Sequence, residues 1–479
     1  MNKRRFSKEF KSKVAVEALK GIQTIIFALS RLNVEVLTKY LKDDFESGRS
    51  AMSQPEKIAG YPGSISSTWQ QFGRAGRRGK SAIGIFVARS TPIDQYLMQH
   101  PEYFFSKSPE HARINPDNLM ILVDHIKCAA FELPFEDRSR FGNVEWKDLK
   151  EILKFLQDGG ILHQSGNRWY WSEDVYPAIA VNLRRIPEGN FVVVDTDNHH
   201  KVIAEVDYSS AAMTIYPDAI YMTDGAQHVV DQLDWDGRKA YVRKTDSDYY
   251  TDSIDYTNVK VLVEDEKRSS GGLSVFQGEV QVVTRVVGYK KIKFYTLENV
   301  GYGKINLPDL EMATTAYWFT IPQALLDAMN YSRADVVDGI LGVSKALHSL
   351  ATLKIISEPY DIHRSVGDKS SEWFAMNTIT ERGIYTPATN SEPSIKLDPD
   401  DLSHFQPTIF IYDNYPGGIG FSSRLFDSHE ELLTGALELI MNCPCKDGCP
   451  SCVGPSKEVG EKSKEIAIDI LKHLTGKKG

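Results

Sequence analysis

The sequence is short of long apolar runs, of cysteine and of net positive charge. No stretch approaches the roughly 18–20 apolar residues of a membrane span, and no apolar run of a secretory signal follows the basic N-terminus. These absences lead us to expect a cytoplasmic protein with no membrane partner. With 56 Lys+Arg against 64 Asp+Glu, the formal net charge is −8. That excludes a uniformly basic nucleic-acid coat but leaves room for a local basic groove, because binding follows the distribution of charge. Only five cysteines occur in 479 residues. What is present in ordinary amounts, 42% hydrophobic and 25% charged residues, suits a soluble globular chain of roughly three to four domains.

The pattern changes several times along the chain. Residues 1–21 are strongly basic, with Phe10, Val14 and Leu19 at helical spacing. Residues 22–28 and 81–89 are short apolar runs that suit buried parallel strands. Between them, Val34, Leu37, Leu41 and Phe45 line one helical face, so a strand leads into a helix as in a βαβ unit. Residues 143–160 carry a helical stripe that stops at Gly159-Gly160. Two short strands around Ser165-Gly166-Asn167 follow, so helix and hairpin together suit a winged helix. Residues 190–300 read as short strands of a small antiparallel barrel or sandwich. Its basic aromatic strand, residues 289–295, suits a solvent-facing edge better than a nucleic-acid face. The last 180 residues or so return to mixed helix and strand.

Two motifs carry chemistry. Gln70-Gln71-Phe72-Gly73-Arg74-Ala75-Gly76-Arg77-Arg78-Gly79 sets two arginines three apart among glycines. Arg74 and Arg77 can then project to one side, which suits the charge that spreads over phosphoryl oxygens during transfer. A Walker A loop is excluded there. It needs G-x-x-x-x-G-K-[ST], and Arg74 stands where the first glycine would be. Further on, Cys443, Cys445, Cys449 and Cys452 give C-x-C-x₃-C-x₂-C. Four close thiolates suit a tetrahedral Zn²⁺ shell, and an all-cysteine shell leaves no open position, so the site is expected to be structural. An Fe–S cluster and two disulfides remain as lesser alternatives. Asp413-Asn414-Tyr415-Pro416-Gly417-Gly418-Ile419-Gly420-Phe421 is read as a tight structural turn, with backbone phosphate binding as the alternative. His348, Glu358, Asp361 and His363 are read as solvated or capping groups, and Cys128 as a small core residue.

Together these motifs resemble a known family. QxxGRAGRR resembles helicase motif VI, and residues 25–31 resemble motif IV of a second RecA-like lobe. Residues 59–88, 115–135 and the cysteine region are similar to the YprA-like superfamily 2 helicases named after mitomycin repair factor A. Residues 1–21 resemble an insertion-sequence transposase N-terminus. The resemblance implies an α/β and α+β multidomain chain. Its expected parts are a transposase-like leader at 1–21, a truncated second RecA-like lobe at 22–114, a helical, winged-helix-like region at 115–188, a small β-rich domain at 189–305 and a zinc-binding domain at 306–479.

The resemblance also implies ATP-dependent 3′–5′ translocation on single-stranded or forked DNA in DNA repair. Arg74 and Arg77 would contact the γ-phosphate, with Gln70 and Gly73 beside them. Neither a Walker A loop nor an Asp-Glu-x-His box occurs in the sequence. ATP and Mg²⁺ are therefore expected only with a first helicase lobe supplied separately, and this chain alone is expected to be inactive. Between motifs IV and VI only the loop-like 47–60 is available, too little for the crossover units of a full lobe at ~30 residues each. A non-enzymatic zinc-containing DNA-binding or scaffold module is the alternative.

Overall fold

The computed structural model describes residues 23–26, 39, 64–73, 82–85, 91–106, 108–109, 118–179, 181, 189–223, 225–270, 272–329, 331–368, 373–374 and 406–476. The leader at 1–21 lies outside them.

The first strands, β1 (Gln23–Ile26) and β2 (Ala82–Ile85), pair in parallel, with Gln23 opposite Ala82. Parallel neighbours require a crossover connection, as expected of an α/β unit. Helix α1 (Ile65–Phe72) lies in that connection, and α2 (Pro92–Gln99) and α3 (Pro101–Ser106) follow β2.

The next unit is a compact winged helix. It comprises α4 (Leu119–Glu132), β3 (Phe135–Glu136), α5 (Trp146–Asp158), β4 (Leu162–Ser165) and β5 (Arg168–Trp171). The three strands form one antiparallel sheet in the order β3-β5-β4. Leu149, Ile152, Leu153 and Leu156 bury one face of α5 against Ile126, Ala130 and Trp169. Each fully buried leucine contributes about 1.5–3 kcal/mol. Gly160 ends α5 at φ +75°, a conformation that glycine adopts without a Cβ penalty. Cys128 is half-buried in α4.

A mixed five-stranded sheet follows. It holds β6 (Asn190–Asp195), β7 (Lys201–Asp207), β8 (Ile220–Thr223), β9 (Ala226–Asp234) and β10 (Lys239–Thr245), in the order β7-β6-β10-β9-β8. Helix α6 (Tyr208–Thr214) packs on it. The β6–β10 pair is parallel, so this sheet is not the all-antiparallel one expected.

Two long strands then leave this sheet as a hairpin, β11 (Tyr249–Ser270, 22 residues) and β12 (Leu273–Lys293, 21 residues). They pair from Tyr249–Lys293 to Ser270–Leu273. At the base, the Ile220 N–H donates to Thr251 Oγ1 at 2.9 Å. At the tip, Glu430 accepts from Arg268 (3.1 Å) and Ser270 (2.8 Å).

The same hairpin belongs to a seven-stranded sheet. Its other members are β13 (Asn299–Lys304), β14 (Leu310–Thr320), β15 (Ile362–Asp368), β16 (Trp373–Phe374) and β17 (Pro407–Asp413), with order β11-β12-β14-β17-β15-β16 and β13 on β12. Strand pairing therefore runs across residue 305, where the β-rich stretch was expected to end. The basic stretch at 289–295 is no solvent edge either. It lies between β11 and β13, with Tyr289, Lys290 and Phe294 buried and Tyr289 stacked on Tyr216.

Helices α7 (Gln323–Met329), α8 (Arg333–Ile355), α9 (Phe421–Asp427), α10 (His429–Asn442), α11 (Ser456–Val459) and α12 (Ser463–Thr475) complete the C-terminal domain. Strand alternation sends Tyr317, Phe319, Ile409 and Ile411 toward these helices and Trp318, Phe410 and Tyr412 to the other face. Within α8, residues Ala334–Ile355 are long and apolar enough to cross a membrane. Val336, Ile340, Val343, Ala346, Leu347, Ala351 and Ile355 are fully buried in the protein core instead.

Candidate metal centre and the arginine-motif helix

The four clustered cysteines converge. Helix α10 stops at Asn442, and Cys443 leaves it in an extended conformation. The chain then turns back at Gly448, where φ is +119° and a Cβ would fall 2.7 Å from the Gly454 carbonyl oxygen. The N–H groups of Cys452 and Gly454 both donate to the Cys449 carbonyl at 3.0 Å. The sulfurs stand 3.6 Å apart for Cys443–Cys445, 3.5 Å for Cys443–Cys449 and Cys445–Cys452, and 3.7 Å for Cys449–Cys452. Zn–S bonds of about 2.3 Å in a tetrahedron require sulfur–sulfur edges of about 3.8 Å. No sulfur–sulfur bond is formed. The donor set and spacing fit a closed tetrahedral ion.

The surroundings complete the fit. Cys452 is fully buried, while the other three are half-buried. Lys464, on α12, is itself buried. Its ammonium donates to the Cys443 carbonyl (2.7 Å) and the Cys445 carbonyl (2.5 Å), and lies 3.6 Å from Cys445 Sγ. A cation there balances thiolate charge and orients the ligand loop. On α8, Gly339 and Gly342 let this corner close. A Cβ on Gly339 would fall 2.4 Å from Ile466, and one on Gly342 would fall 2.9 Å from Val453.

The glycine-rich turn after β17 is structural. Asp413 is fully buried. Its Oδ2 accepts the N–H groups of Ile419 (2.7 Å) and Phe421 (3.2 Å) and the Thr315 hydroxyl (3.2 Å). Burial raises its pKa above the ordinary carboxylate value, opposed by these donors. The Gly417 and Gly418 N–H groups donate to Ala313 and Tyr415 carbonyls. The donors that a phosphate would need are therefore committed inside the protein.

The polar residues nearby brace that turn. Asp361 accepts from the Tyr415 hydroxyl (2.7 Å) and the Glu358 N–H (2.8 Å). His348 Nε2 donates to the Ile362 carbonyl at 3.0 Å. Burial pushes its pKa down to about 3, helped by the charge of Arg364. His363 is likewise pushed down by burial, to about 4.

Of the arginine motif, residues 70–73 are described, with Gln70 and Gly73 exposed at the end of α1. Arg74 and Arg77 lie outside the described residues. Beside Gln70, Trp69 stacks on Phe104 of α3, with ring centroids 4.9 Å apart.

The sequence reading missed Lys464 and Asn118. Lys464 looks like one more surface lysine of an amphipathic helix, and nothing local marks it. Asn118 carried a signal, since it stands just before the apolar run of α4, where an N-cap belongs.

Comparisons with known proteins bear on both ends of the chain. A family model described as "MrfA Zn-binding domain" matches residues 343–453. Another, "ATP-dependent helicase HRQ1, winged helix domain", matches residues 114–186. The "Uncharacterized ATP-dependent helicase YprA" of Bacillus subtilis is 36% identical over 99% of this chain and 64% of its own length. That alignment therefore reaches into the basic leader. The "ATP-dependent helicase hrq1" of Schizosaccharomyces pombe is 28% identical over 87% of this chain and 38% of its own. Among solved structures, the DUF1998 helicase MrfA bound to DNA superposes with a TM-score of 0.60. It is 35% identical, over 97% of this chain and 63% of the other. The chain thus spans under two thirds of the length of these relatives.

Proposed function

We propose, from its similarity to the YprA/MrfA-like helicases along nearly its whole length and from the match of residues 343–453 to an MrfA Zn-binding domain, that the chain is the C-terminal part of an ATP-dependent 3′–5′ DNA helicase of DNA repair. Its DNA is single-stranded or forked, and its compartment is the cytoplasm. Zn²⁺ fills the four-cysteine shell and is structural. Arg74 and Arg77 meet the γ-phosphate of ATP–Mg²⁺ held by a first lobe outside these residues. Arginine keeps its charge at any working pH, so the pair is ready whenever that nucleotide arrives. Gln70 and Gly73 bring the α1 end close to it.

The observation that carries this reading is the parallel β1–β2 pair. It sets the motif IV strand beside the strand that follows motif VI, with α1 between them in sequence. The lobe is internally shortened on this reading, and the length of the YprA alignment leaves room for that. Its 521 positions exceed the 479 residues of this chain, so the relative holds residues that have no counterpart here.

Reconstitution tests the proposal. A separately expressed first lobe, added with single-stranded DNA, is expected to restore ATP hydrolysis. Arg77→Ala should lower that rate by about 10³-fold or more, as for other arginine fingers. ATP hydrolysis by the chain alone, abolished by Arg77→Ala, would overturn it. Salt-sensitive DNA binding without restored hydrolysis would favour the non-enzymatic zinc-containing module instead.

A further inference from the structure

The winged-helix unit and the C-terminal domain meet at a buried side chain that caps one and grips the other. Asn118 is the N-cap of α4 and is 2% exposed. Its Oδ1 accepts the N–H groups of Met120 (3.1 Å) and Ile121 (3.2 Å). Its Nδ2 donates to the Gly418 carbonyl at 2.5 Å and reaches the Pro416 carbonyl at 3.5 Å. A primary amide has its acceptor on one side and its donors on the other. One residue can therefore serve both elements at once, across a separation of 300 residues.

The glycine-rich turn is shaped to receive it. Its N–H groups at 417, 418, 419 and 421 are bonded within the C-terminal domain. Carbonyls of the same turn, at Pro416 and Gly418, are what Asn118 meets. Gly418 has φ +70°, and a Cβ there would fall 2.2 Å from Thr315 Oγ1. Gly417 has φ +74°, and a Cβ there would touch Met120 at 3.7 Å. A side chain at 418 would lift the turn off β14, and the 417 position lies in ordinary contact with the first turn of α4. Buried Asp413 fixes the loop from beneath.

We infer that Asn118 is a positioning residue that clasps the first turn of α4 to the Pro416–Gly418 carbonyls and so holds the winged helix at one orientation to the zinc-binding domain. Its benefit, that a DNA strand meets both accessory units in a fixed relation, rests on the proposed function. The clasp itself does not.

Hydrogen exchange and small-angle scattering on the full chain, without DNA or nucleotide, test it. Asn118→Asp keeps the cap, since aspartate and asparagine are about equal there. It removes the donor and sets a carboxylate against two carbonyls. Amides at 417–421 should then exchange about tenfold faster or more, and the radius of gyration should rise. Exchange within α4 and the zinc content should stay native. Asn118→Ala should loosen the first turn of α4 as well. If Asn118→Asp leaves both the turn's exchange and the radius of gyration at native values, Asn118 is a cap alone and the inference fails. Neither readout involves DNA, so a failed helicase reading leaves this result interpretable.

Discussion

In the cysteine loop, every ligand comes from residues 443–452, and one lysine on α12 supplies the counter-charge. Helix α1 is the opposite case. Gln70 and Gly73 stand exposed at its end, and the sequence holds no Walker A loop for the arginines to reach. The first site is assembled by short-range turns and a buried helix contact. Under the proposed function, the second is half of an arrangement whose other half a separate first lobe supplies. A local metal shell can be judged from its own atoms, whereas a phosphate-sensing arginine can be judged only with its nucleotide in place.

Stripping the metal should break this contrast most. Chelation, or Cys452→Ser, is expected to lower the melting temperature of the C-terminal domain by on the order of 10 °C or more, because metal-binding energy is folding energy. Calorimetry with and without zinc checks this, and an unchanged transition would make the loop self-supporting. Lys464→Met should act more mildly. It keeps the packing volume but removes the charge and the donors, and zinc affinity should fall about 10–100-fold. Competition with a chromophoric chelator reads that loss. Smallest is Gln70→Ala, at an exposed position. Without nucleotide it should change stability by no more than about 0.5 kcal/mol, measured by urea titration. A larger loss would mean that Gln70 is packed against a neighbour, like Ile65 and Thr68 on the same helix, and not open to a partner.

Legibility in the sequence followed range. The cysteine shell could be read because its spacing is its geometry. The winged helix could be read because the stripe from Leu149 to Leu156, the Gly159-Gly160 stop and the Ser165-Gly166-Asn167 turn are each local signals. The extent of the sheets could not. Val259 or Trp318 looks the same in any antiparallel strand, and only long-range register shows that β12 joins β14 and β17 in one sheet. Lysines 290 and 291 suggested a wet surface. Burial of Lys290 beside Asp252 is a tertiary fact. The second role of Asn118 was hidden for the same reason, since its partner lies 300 residues away.

The long β11–β12 hairpin has a mechanical consequence. At about 3.3 Å per residue, strands of 22 and 21 residues act as a strut tied to one sheet at Thr251 and bolted at the far end to Glu430. A pull along it loads its hydrogen bonds in shear, so that many must yield together and not one after another. The hairpin thereby links the five-stranded sheet to the helix that leads into the cysteine loop, and its register shifts near Ile254, Val261 and Glu264 are where it would bend.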